Sequence, residues 1–128
     1  MDRKIKIVIF WMLIITGFLA HSLADMMPAF WGESIAAMEG PAPAGMIAFM
    51  MLLIYLIPVT GILLVLLGKG KAAFLVNAVL ACFTGLFCIL HMCEWFEAFH
   101  PVQLLVMPAM ALVGVLLAIG SVKLCKEK

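Results

Sequence analysis

The side chains best equipped for chemistry are three histidines, His21, His91 and His100, and two carboxylates near them, Asp25 and Glu94. Imidazole nitrogen and carboxylate oxygen are the donors used for zinc and for non-haem iron or manganese. His21 and Asp25 are four residues apart, and His91 and Glu94 are three apart, so on helices each pair shares a face. Bundle metal sites are built from paired inward ligands of this kind. The expectation is a site in which His21, Asp25, His91 and Glu94 bind a divalent transition metal, zinc, iron or manganese, with His100 completing the shell. The carboxylates can instead orient the imidazoles from outside the shell. Such binding weakens below about pH 6, because imidazole, with a reference pKa near 6.5, must lose its proton to ligate.

Two other readings use the same residues. His21 and His91 can serve as the two axial ligands of a b-type haem. Alternatively, the polar cluster tunes a cavity for a small apolar ligand or a partner subunit, or senses pH through histidine. The eleven methionines, with Met92 beside His91, suit copper(I) in combination with imidazole, but methionine is also a flexible filler of apolar interiors. Glu33, Glu39 and Glu97 read as groups solvated at a membrane surface. The sequence does not decide between an enzyme and a carrier.

The elements that must position these groups follow from charge. All eight basic residues, Arg3, Lys4, Lys6, Lys69, Lys71, Lys123, Lys126 and Lys128, fall at one end of the hydrophobic runs. The histidines, Asp25, Glu33, Glu39, Glu94 and Glu97 fall at the other. Basic loops stay on the cytoplasmic side of a membrane. Composition agrees: 67% of the 128 residues are hydrophobic and 12% charged, against about one quarter charged in soluble domains. Four charge-free stretches, 7–24, 40–68, 72–93 and 98–122, each supply the roughly 20 helical residues that a bilayer core requires. The expected spans are 5–24, 45–67, 72–93 and 102–122. The first has the look of a signal peptide but is long enough to remain as a span. The reading is one all-α domain: an up-down-up-down four-helix bundle in the lipid bilayer of a bacterial cytoplasmic (inner) membrane, both termini cytoplasmic. Nucleic-acid binding is excluded by the lack of a basic stripe with interleaved aromatics.

Spacing then selects faces. Asn77, Thr84 and His91 recur every seven residues, with Ala81, Cys88 and Trp95 interleaved, so the third span turns one polar face inward. Gly17 shares the face of His21 and Asp25 on the first. His21 lies 16 residues beyond Ile5, and His91 lies 19 beyond Ala72, which puts them level on helices that run the same way. The two side chains should therefore approach to within about 8 Å, given interaxial distances of about 8–10 Å. On the fourth span His100, Gln103, Met107, Met110 and Gly114 form a stripe, with Gln103 reaching the same cavity. The second contributes Tyr55 and Met51. Pro58 and Pro108 fall inside spans and tend to kink them. Residues 29–38 suggest a short interfacial helix anchored by Trp31. Ala73, Ala78 and Gly85 are expected on outward faces, where they favour a homodimer. The cysteines, Cys82, Cys88, Cys93 and Cys125, form no Cys-x-x-Cys and are expected to be free. No phosphate-binding glycine loop, nucleophile elbow or His-Glu-x-x-His helix is present.

Overall fold

The computed structural model describes residues 1–36, 39–93 and 101–128. Among these every regular element is helical. Four helices are long and apolar enough to cross a membrane: Arg3–Trp31, Ala44–Leu67, Lys71–Met92 and Val102–Glu127. The first consists of α1 (Arg3–Met26) and a 3-10 turn, Met27–Trp31. The second joins α2 (Ala44–Met51) through a π turn, Leu52–Leu56, to α3 (Ile57–Leu67). The third is α4 (Lys71–Met92); the fourth is a 3-10 turn, Pro101–Leu105, followed by α5 (Met107–Glu127).

The two prolines act differently. Pro58 lacks an N–H, and its ring crowds the carbonyl four residues back. The helix widens into the π turn immediately before it. Pro108, expected to kink a continuous span, lies in the first turn of α5, where a missing donor costs nothing. The break falls at Val106, whose N–H returns to the Gln103 carbonyl at 3.1 Å. The helix expected over 29–38 is not seen in the described part of that stretch. Pro28 opens the 3-10 turn, Gly32 ends it in the left-handed region at φ 79°, and residues 33–36 are irregular. Ala37 and Met38 lie outside the described residues.

The core runs along α1, α4 and α5, with Ile7, Trp11, Ile14, Phe18, Phe74, Ala81, Leu117 and Leu124 at its centre. The α4–α5 interface is the most extensive, and both α1 and α4 also touch α3. Gly85 and Gly114 make the α4–α5 approach possible: a Cβ on Gly85 would meet the Gly114 carbonyl oxygen at 2.8 Å. Gly85 and the buried Ala78 therefore face the interior, not outward, and are not available to a second copy. Their neighbour helix needs them small. Gly61 plays the same part for Trp11, whose ring Cε2 lies where a Cβ would stand. Trp11 is fully buried and donates from Nε1 to Asn77 Oδ1 at 3.0 Å. Asn77 Nδ2 and Ser121 Oγ, also buried, have no hydrogen-bond partner among the described residues. All four cysteines are free. At the lysine end Arg3 pairs with Glu127, and the Lys4 ammonium stands 5.0 Å over the Phe74 ring.

Candidate functional site

The inward face expected on the third span is the one observed. Asn77, Ala81, Thr84 and Cys88 are buried on α4. His91 continues that seven-residue repeat in the last turn, with Phe87 one turn before it. The Phe87 and His91 rings stack at 5.6 Å between centroids and 12° between planes, which fixes the imidazole's plane. Phe18 of α1 packs against Phe87 at 6.1 Å. Neither phenylalanine was singled out by type, although Phe87 stands at the four-residue spacing that signals a neighbour on a helix.

His21 of α1 meets His91 directly. Their Nε2 atoms are 2.9 Å apart, and the rings meet edge to face with centroids 4.7 Å apart. The His21 side chain is 14% exposed. On its other edge, Nδ1 lies 2.8 Å from Gln103 Oε1. Gln103, 5% exposed, donates from Nε2 to Asp25 Oδ1 at 2.7 Å. Its Nε2 also stands 3.5 Å from the His21 carbonyl oxygen. Asp25 Oδ2 lies 3.5 Å from His21 Nε2.

This chain of contacts assigns protons. A carboxylate only accepts, so the amide nitrogen of Gln103 faces Asp25 and its oxygen faces His21. Nδ1 of His21 must then be the donor. In a neutral His21 the free lone pair is on Nε2, and the His91 Nε2–H donates to it. The Asp25–Gln103–His21–His91 network thus leaves a basic nitrogen aimed at a second imidazole. Gln103 and Asp25 hold it there, an arrangement that orients metal-binding histidines elsewhere.

The expected residues divide as follows. His21, His91 and Asp25 come together, joined by Gln103, which bridges the carboxylate and the imidazole. Glu94 and His100 lie outside the described residues. Met107, Met110 and Gly114 are buried along the α5 stripe, and Met110 packs on Gly17 of α1. Tyr55 and Met51 do not join the site. They are 60% and 50% exposed, because the helix presents Leu53 inward at that level and carries Tyr55 around the outside. Among the described residues no group of three or more His, Cys, Asp or Glu side chains is placed to hold a metal ion; His21, His91 and Asp25 alone do not make one. Comparison with known proteins finds no matching family model, no matching curated protein and no matching solved structure.

Proposed function

We propose that the chain is a multi-pass membrane protein whose helices alternate in direction, with the lysine end cytoplasmic. The histidine end, at the opposite face, binds a divalent transition metal. Two sets of contacts and the placement of the lysines support the alternation. Ile7 meets Gly120 and Gly17 meets Met110, so α1 and α5 run in opposite senses. Trp11 meets Asn77 and His21 meets His91, so α1 and α4 run in the same sense. The Lys69–Lys71 turn and the α5 terminus both carry lysine, as the positive-inside rule requires. The exposed Phe30 and Trp31 then fall at the far interface, where aromatic rings are favoured.

The observation that carries the metal reading is the convergence of two Nε2 atoms at 2.9 Å. One hydrogen bond joins these two nitrogens, and a cation can take the place of its proton. Asp25 Oδ2, 3.5 Å from the same nitrogen, supplies a negative oxygen beside it. Glu94 and His100, close in sequence to His91 and Gln103, are the further ligands that complete the shell. A mixed nitrogen and oxygen set favours zinc, iron or manganese. The metal is either cargo or a Lewis acid for a substrate at the membrane face. The haem alternative fits less well, since the two rings touch and a porphyrin between them would require them to part.

Elemental analysis of protein purified in detergent without chelator tests this. The expected result is one metal per chain, or a melting temperature raised by added zinc, manganese or iron. Neither metal nor stabilisation would leave a closed hydrogen-bonded network, and the function would lie in ligand or partner binding.

A further inference from the structure

A cavity of about 720 Å³ opens beside the histidine network. Its walls include Asp25 and Gln103, which belong to the network, and Met27, Trp31, Glu33 and Val102, which do not. The Asp25–Gln103 contact therefore belongs both to the cavity wall and to the network that holds the imidazole pair. The charged groups among its described lining are Asp25 and Glu33, both acidic. No Lys or Arg occurs between Lys6 and Lys69, or between Lys71 and Lys123. No basic side chain therefore arises nearby in sequence to neutralise them.

The backbone builds the position of Glu33. The 3-10 turn from Met27 ends at Gly32 in the left-handed region, and the Glu33 N–H closes it onto the Pro28 carbonyl at 3.2 Å. Glu33 follows directly and makes no ion pair among the described residues. Carboxylates in a concave site with apolar walls raise the local concentration of cations and speed their arrival.

We infer that this cavity is the entrance through which a hydrated divalent cation reaches the His21–His91 pair, and that Glu33 draws it in. This rests on the metal-binding reading and adds a route and a residue to it. Asp25 takes part at both ends: Oδ1 is held by Gln103, and Oδ2 faces His21. Glu33 acts on arrival alone and is not a ligand of the bound ion.

Glu33 and Glu39 lie on the same connecting segment and carry the same charge, but only Glu33 lines the cavity. That pair makes the test. Metal-free full-length protein in detergent is mixed rapidly with zinc in competition with a chromophoric zinc indicator. Glu33→Gln should slow association by about 3–10-fold and flatten its dependence on salt. It should still bind the wild-type number of zinc ions at saturation. Glu39→Gln should associate at the wild-type rate. An unchanged rate in Glu33→Gln, or equal slowing in Glu39→Gln, overturns the entrance while leaving the metal site standing. Loss of zinc stoichiometry in Glu33→Gln would make it a ligand and overturn the role assigned to it. Zinc binding that survives His91→Ala unchanged would bring down the metal site, and the entrance with it.

Discussion

His21 and His91, 70 positions apart in sequence, face one another Nε2 to Nε2 at 2.9 Å across the bundle. If they share a metal, neither substitutes for the other. His21→Ala and His91→Ala should each abolish metal retention, and the double variant should be no worse than either single one. Metal content after gel filtration measures this. Acid should release the metal from the wild type, since a protonated imidazole cannot ligate; retention at mildly acidic pH would count against histidine ligands.

In the proposed metal site Gln103 would orient His21 without ligating. Gln103→Leu keeps the bulk but removes the acceptor for His21 Nδ1 and the donor to Asp25. Metal affinity should fall by about 10–100-fold, the usual effect of losing an outer partner, while stoichiometry at high metal is kept. Isothermal titration reads both. Complete loss would mean that Gln103 does more than orient.

Two glycine substitutions should separate close packing from helix propensity. Gly61→Ala drives a methyl into the buried Trp11 ring, which cannot move without leaving Asn77. Destabilisation of about 1–3 kcal/mol is expected, the usual range for overpacking. Gly45→Ala has open space around it in α2 and should be neutral or gain up to about 1 kcal/mol. Thermal unfolding followed by tryptophan emission compares them.

Topology is checked by labelling intact cells with an impermeant thiol reagent. Cys125 is buried and reports poorly, so the probes are Lys128→Cys and Glu33→Cys in a chain whose native cysteines are replaced. Glu33→Cys should label and Lys128→Cys should not. The reverse pattern would invert the protein in its membrane.

Much of this arrangement is visible in the amino acids themselves. The four helices follow from charge-free runs of sufficient length, and the inward face of α4 follows from the seven-residue repeat of Asn77, Thr84 and His91. Similar counts from the helix starts bring His21 level with His91. Other features depend on contacts that no local pattern records. Gln103 reaches Asp25 from 78 positions away, and its bridging role depends on where the 3-10 turn of Pro101–Leu105 sets its backbone. Ala78 and Gly85 look alike as lipid-facing or helix-facing residues; only packing decides, with Gly114 set against Gly85 and Ala78 buried in the core. The apolar spacing of Phe30, Trp31 and Ile35 suggests a helix through that stretch, but Gly32 ends the turn there in the left-handed region.

The π turn before Pro58 has a consequence for the surroundings of the chain. No residue of α2 is buried, whereas α3, beyond the turn, buries Pro58, Gly61 and Val65. Counting ten residues from the Trp11–Gly61 contact reaches His21 on one helix and Met51 on the other, so the unburied segment lies at the depth of the histidines. In the membrane orientation proposed above, acyl chains would form the fourth wall there, and lipid would solvate the histidine end where protein walls the lysine end. Bilayer thickness and choice of detergent should therefore act on the two ends unequally, loosening the imidazole pair before they disturb Trp11 and Asn77.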